Sequence, residues 1–338
     1  MRTIEWKDGI VITIDQTKLP HQTVFVKITN CDEVAKAIKT MQIRGAPLLG
    51  AAAAYGLALT AYHSKSKDKG QLMKELTASA QILKKTRPTA VNLFWAIDRV
   101  IEKAKKTEGD VPTVVKTVVE EAQKMAAEDI GANRKIGEHG STLIKDRDTV
   151  LTHCNAGSLA TVGYGTALGV IRAAWKNSKD IKVIATETRP LLQGARLTAY
   201  ELFRDGIPVT LITDGMVGYV ISKGLVDKIV VGADRIVKDA VINKIGTYTI
   251  AVLAHEHKIP FYVAAPKSTF DWKQVAKDVV VEQRSVEEVV KFGGVQVAPK
   301  GVSAFNPAFD ITPLKYITAI IYEGGVLSGA DFQKLSSY

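Results

Sequence analysis

The chain has 338 residues, 46% hydrophobic and 24% charged, which is too apolar for a disordered chain and lacks the unbroken apolar run that a bilayer span needs. Its formal net charge of +10 comes from lysines spread along the whole chain, which argues against a nucleic-acid-binding tract and leaves an anionic small substrate open. Two cysteines, Cys31 and Cys154, cannot build a disulfide framework, and no Cys/His cluster has zinc spacing. Met1, Arg2, Glu5 and Lys7 form no apolar leader. A cytoplasmic location, no structural metal, no nucleic acid and no membrane partner are therefore expected.

In chain order, Ile4–Trp6, Ile10–Ile14 and Val24–Ile28 are β-branched runs broken by Lys7-Asp8-Gly9 and Pro20, and predict short strands that cap the N-terminus. From Asp32 to about Gly140 the spacing turns helical, as in Val34, Ile38, Met41 and in Leu72, Leu76, Leu83. Pro47, Pro88 and Pro112 each fit near a helix start. After Gly140, short apolar runs alternate with helical stretches: Thr149–Thr152, Lys182–Ala185, Val209–Thr213, Lys228–Val231 and Phe261–Ala264. That alternation predicts βαβ units around a parallel sheet. The expected fold class is α/β, with an N-terminal mainly helical domain carrying a small β cap over residues 1–140 and a Rossmann-like catalytic domain over 141–338. Ligands of such sheets bind at the carboxyl ends of the strands, so the residues there carry the functional question.

Cys154 follows the run at Thr149–Thr152 and precedes a helical pattern through Ala167 to Ala174. A helix N-terminus beside it would lower the thiol pKa and attract an anion; a small buried hydrophobe is the alternative. Asp234 ends the run at Lys228–Val231 and reads either as a helix N-cap or as an acid whose pKa rises when shielded from water. Gln193 lies in a glycine-bearing turn suited to sugar hydroxyls. Asn243 and Lys244 precede a helix from Thr247, where a lysine would meet phosphate. Arg44 before Gly45, Ala46 and Pro47 is anion-binding chemistry, and Arg87 before Pro88 repeats it.

Other signals carry less. Gly163, Gly165 and Gly169 resemble a dinucleotide fingerprint whose third glycine comes one residue late, which predicts helix packing instead. His255 and His257 are two apart and point to different helix faces. His153 either tunes Cys154 or is simply buried.

The motifs taken together resemble the methylthioribose-1-phosphate isomerase family, which is related to translation initiation factor 2B regulatory subunits. They include Ile43–Pro47, Thr86–Leu93, Thr152–Gly157, Glu187–Arg196, Gly232–Ile236, Asn243–Tyr248 and Asn306–Asp310, in order along almost the whole chain. The resemblance implies isomerisation of 5-methylthio-ribose 1-phosphate to 5-methylthio-ribulose 1-phosphate in methionine salvage. It puts the catalytic pair on Cys154, as transition-state stabiliser, and Asp234, as proton donor. Substrate contacts fall on Arg44, Gly45, Ala46, Arg87, Gln193, Asn243 and Lys244. It implies no metal or organic cofactor, and a homodimer formed through the α/β domain. Rival expectations are a ribose-1,5-bisphosphate isomerase and a non-catalytic translation-factor subunit. An aromatic, apolar wall from Trp6 and from Asn92–Trp95 is expected to favour the thioether. Gly215, Val217 and the segment 237–242 depart from the family pattern.

Overall fold

A computed structural model describes residues 1–328 and 331–332; the remainder of the expected 141–338 segment lies outside the described residues. The N-terminal strands β1 (Ile4–Lys7), β2 (Ile10–Ile14) and β3 (Phe25–Ile28) form an antiparallel meander in chain order. Five helices follow: α1 (Cys31–Lys39), α2 (Ala46–His63), α3 (Lys69–Lys84), α4 (Val91–Lys106) and α5 (Val111–Ser141). Side chains satisfy the exposed first N–H groups of three of them, Asn30 accepting from Glu33, Asp68 from Gln71 and Asp110 from Thr113. Helix α2 is apolar all round, with fourteen of its eighteen residues buried. It therefore needs neighbours on every side, and α1, α3, α4 and α5 supply them.

The main sheet is built from β4 (Thr149–Thr152), α6 (Ala167–Lys176), β5 (Lys182–Thr186), α7 (Ala199–Arg204), β6 (Val209–Ile212), α8 (Val217–Ser222) and β7 (Lys228–Val231). The antiparallel strands β8 (Arg235–Ile236) and β9 (Ala240–Lys244) come next, then α9 (Thr247–Glu256) and β10 (Phe261–Ala264). A long excursion carries α10 (Glu287–Val290), β11 (Lys291–Phe292), β12 (Val295–Gln296) and β13 (Phe309–Pro313) before β14 (Ala319–Tyr322) and β15 (Gly325–Ser328) complete the sheet. Its order is β15-β14-β10-β7-β4-β5-β6, parallel except for β15. The chain runs outward from β4 to β6 and then returns to β7 on the other flank of β4. The topological switch point is therefore at β4 and β7, where the loops after adjacent strands part and leave a crevice.

All five expected strands are present, and the five helices occupy the expected stretch. Strands β14 and β15 and the small sheet β13-β9-β8 were not anticipated: β9 pairs with β13 across more than sixty residues, which leaves no local pattern, while the hairpins β8-β9 and β14-β15 are local and were overlooked. The glycine-rich stretch is packing: a Cβ on Gly137 would stand 2.8 Å from the carbonyl oxygen of Gly169, where α5 meets α6.

Candidate active site

Two expectations about strand ends need correction. No helix follows β7: Asp234 leads into β8, and its N–H donates to the carbonyl of Ile242 (3.0 Å), so it caps no helix. Nor does Cys154 stand at the start of α6, because a 3-10 turn at Ser158–Ala160 and a further loop intervene. Without a dipole beside it, the thiol is pushed up by burial, against the pull of Lys244 and Arg44. The helix start that does meet the crevice is that of α2. Gly45 sits at φ +104°, and a Cβ there would come within 2.4 Å of Ala160 Cα, so only glycine lets Arg44 and Ala46 approach the loop after β4.

All nine candidates, Arg44, Gly45, Ala46, Arg87, Cys154, Gln193, Asp234, Asn243 and Lys244, line one cleft of about 660 Å³ at the switch point. Burial pushes the Asp234 carboxyl up, with Lys244, Arg87 and Arg44 opposing. Burial pulls the Lys244 ammonium down, with Cys154 and Asp234 opposing. Lys244 is buried, donates to Ala308 O (2.9 Å) and lies 4.9 Å from the Phe309 ring centroid. Thiol, carboxyl, ammonium and guanidinium thus form one coupled group.

The supports are local and specific. Arg44 donates to Asn155 Oδ1 (2.8 Å) and to Asn155 O (2.9 Å). Asn155 in turn donates to Glu201 (2.9 Å), a buried carboxylate that also accepts from Ser158 N (2.7 Å), Leu159 N (3.2 Å) and Arg172 (2.9 Å). Glu201 thereby pins the loop after β4 from α7. Arg87 is held by Glu282 (2.8 Å) from the long excursion. Gln193 precedes a single π-helical turn, Gly194–Thr198; it is buried, and its Oε1 has no partner, which an incoming hydroxyl would satisfy. Asn243 donates to Thr247 Oγ1 (3.0 Å). Cys154 and Thr188 both take positive φ, 62° and 65°, a conformation that costs on the order of 1 kcal/mol or more per non-glycine residue.

His153 resolves to the structural reading. It is buried with Nε2 2.8 Å from Ile245 O and Nδ1 2.6 Å from Thr186 Oγ1. A carbonyl can only accept, so Nε2 carries the hydrogen and Nδ1 accepts from the threonine. Burial pulls its pKa down, and the ring stays neutral as a brace between β4, β5 and β9.

The aromatic wall is also corrected. Trp6 stacks on Tyr55, centroids 6.0 Å apart, in the helical core, and none of Asn92, Leu93, Phe94 or Trp95 lines the cleft. Instead a small apolar annex opens beside Arg87 and Asp234, walled by Leu49, Ala90, Ile242, Val279, Val280 and Phe309. The missed residue with a readable signal is Phe309, inside the Asn306–Asp310 motif. The valines had none, since they belong to an excursion without periodicity. Gly215 and Val217, which depart from the family pattern, lie outside the cleft lining.

Among known proteins, the profile of the initiation factor 2 subunit family matches residues 42–329. A methylthioribose-1-phosphate isomerase of Acetivibrio thermocellus is 51% identical over 341 residues, covering all of both chains. The crystal structure of 5-methylthioribose 1-phosphate isomerase from Pyrococcus horikoshii OT3 superposes with a TM-score of 0.92 at 46% identity, over 99% of this chain and 95% of that one. A crystal structure described as translation initiation factor eIF-2B, subunit delta, from A. fulgidus superposes with a TM-score of 0.89 at 54% identity over 100% of both chains.

Proposed function

We infer that this chain, which belongs to the initiation factor 2 subunit family, is the isomerase of that family that converts 5-methylthio-ribose 1-phosphate into 5-methylthio-ribulose 1-phosphate in methionine salvage. The observation that carries the reading is the meeting of Cys154 and Asp234 over one cleft with Lys244 and Arg44 as charged neighbours of both. A phosphate on the anomeric oxygen prevents the sugar from opening to a free aldehyde, so an acid must act on the ring oxygen. Asp234, its pKa raised by burial, is that acid. Its proton passes to the ring oxygen as the bond from C1 to that oxygen breaks, and the electron pair leaves with the oxygen.

A thiol whose pKa burial raises keeps its proton and is not available to take another. We therefore assign the next step to hydride movement from C2 to C1, with the C2 hydroxyl proton returning to the Asp234 carboxylate as the ketone forms. The enzyme then regains its starting protonation. Cys154, neutral and polarisable, stabilises the positive charge at C1. Arg44, Arg87 and Lys244 hold the phosphate, helped by the N–H groups of Gly45 and Ala46 at the start of α2. Gln193 and Asn243 bond the sugar hydroxyls.

The apolar annex supports a thioether at C5 over a second phosphate. Of its two cations, Arg235 is engaged by Gln274 Oε1 and Thr89 O (both 2.7 Å), and Arg87 is the one assigned to the C1 phosphate, which leaves none for a second phosphate. The likeness to the eIF-2B subunit structure favours a second reading as a non-catalytic subunit. Assays of the purified protein with each sugar phosphate separate the three readings. Turnover of the methylthio substrate alone is expected, and Asp234→Asn should lower kcat/KM by about 10²–10⁴. Undiminished activity in that variant removes Asp234 from its role, equal turnover of the bisphosphate removes the substrate assignment, and no turnover of either favours the non-catalytic subunit. Deuterium placed at C2 should be retained at C1; washout into solvent would overturn the hydride step.

The cytoplasm is the location we propose, supported by two free cysteines and by the absence, among the described residues, of any helix long and apolar enough to cross a membrane. A homodimer is proposed through the edge of the main sheet, where Phe203, Leu211, Met216 and Tyr219 are exposed on and beside β6.

A further inference from the structure

A second cavity lies on the far side of the α2 N-terminus, between the helices α2, α4 and α5 and the loop after β10. It shares only Pro47 and Pro266 with the catalytic cleft and is larger, about 1140 Å³. Its charged wall is three carboxylates, Glu128, Asp129 and Glu323, and one lysine. Asp129 accepts from Val162 N (2.8 Å) and Asn133 (3.0 Å), and Glu323 from Lys267 N (2.9 Å). Among the described residues, neither carboxylate has a cationic partner within salt-bridge distance. Glu128, the third carboxylate of the wall, is already held by Arg99 (2.6 Å). Burial, with Glu323 as a like-charged neighbour, pushes Asp129 up to about 7.

The independent observation is Asn92. It lines this cavity at 1% exposure, spends its amide nitrogen on Thr269 Oγ1 (3.3 Å), and leaves its buried Oδ1 without a partner. A buried amide oxygen without a donor costs about 1–3 kcal/mol. The remaining wall is aromatic. Trp95 is 41% exposed, and Trp272 packs edge-on against Phe270 (5.3 Å). Lys267, the one basic residue of the lining, is exposed.

We propose that this cavity is a second binding site, for an organic ammonium ion with an apolar body. The ammonium group supplies the hydrogen-bond donors and positive charge that Asn92 Oδ1, Asp129 and Glu323 lack. The hydrocarbon part lies against Trp95, Trp272 and Phe270, which serve as an apolar wall because Arg99 already stands 5.5 Å from the Trp95 ring centroid and Trp272 stacks on Phe332. A metal ion fits poorly by comparison, since no cluster of three His, Cys, Asp or Glu ligands occurs among the described residues.

The test is a titration of the full-length protein with 2-phenylethylamine at about pH 8, where the amine is charged and Asp129 is ionised, read by tryptophan fluorescence and by calorimetry. Saturable binding is expected, with 2-phenylethanol and 3-phenylpropionate, the neutral and anionic counterparts, binding at least roughly tenfold more weakly, the size of one charge-assisted hydrogen bond. Glu323→Gln and Asp129→Asn should each weaken the amine by a similar factor while leaving inorganic phosphate binding at the catalytic cleft unchanged, which also reports that the variants fold. No saturable binding of the amine, or equal binding of amine and alcohol, overturns the proposal. So does full-strength binding in a folded Glu323→Gln variant.

Discussion

At the residue scale, two groups in the cleft titrate away from their ordinary ranges in ways that separate kcat from KM. Asp234 must be protonated to act, and burial raises its pKa, so kcat is full below that pKa and falls as pH rises through it. Lys244 must be charged to hold phosphate, and burial lowers its pKa, so KM rises on the alkaline side. Lys244→Arg replaces the ammonium with a cation that keeps its proton throughout this range. The variant should hold KM level to higher pH while the alkaline limb of kcat persists. A pH-rate series on the two proteins checks this, and a kcat limb that vanishes with Lys244→Arg would assign the limb to Lys244 instead of Asp234.

At the element scale, the loop after β4 is shaped from outside itself. Glu201 on α7 receives two backbone N–H groups of that loop, the Asn155 amide and Arg172. Burial alone would raise its pKa, but Arg172 and these bonds outweigh it and hold the carboxyl below the usual range. The sign follows: stability from Glu201 is present above the unfolded-state value near 4.5 and is lost as pH falls through the lower folded value. Glu201→Ala leaves Arg172 with Asp205 and the Tyr164 carbonyl and frees the N–H groups of Ser158 and Leu159. We expect a loss of about 3–5 kcal/mol in denaturant unfolding, together with a fall in kcat/KM, because Arg44 is aimed through Asn155. Unchanged activity in a destabilised variant would show that the loop holds Arg44 without this anchor.

Much at this scale was readable beforehand. The strands around Cys154 and Asp234 are short apolar runs bounded by polar turns, so their existence and ends follow from composition. The strand pair carrying Lys244 opposite Phe309 was not readable, because its register joins residues far apart in the chain. The thiol's electrostatics also escaped sequence reasoning. The helical periodicity after Cys154 was real, but the intervening 3-10 turn removes the dipole from it.

For the whole molecule, one group of exposed apolar residues sits where the parallel sheet ends. Strand β6 is an edge with Thr210 and Leu211 exposed, Phe203 on α7 is 82% exposed, and Tyr219 on α8 is 63% exposed. Unpaired edges bearing apolar side chains invite association. Sedimentation equilibrium should give twice the chain mass of 36.6 kDa, and the double variant Phe203→Glu with Leu211→Lys should give the single mass. A single-chain mass for the unaltered protein at micromolar concentration would refute this interface.

By itself, the sequence determined the order of helices and central strands and the residue types available at the strand ends, because periodicity, turn chemistry and composition act over a few neighbouring residues. Only the tertiary structure decided that the chain doubles back beside β4, that nine scattered residues line one cleft, that valines from a long excursion wall its apolar annex, and that burial overrides local dipoles in setting proton affinities. Those outcomes depend on which distant segments exclude water from one another, and no local pattern encodes that.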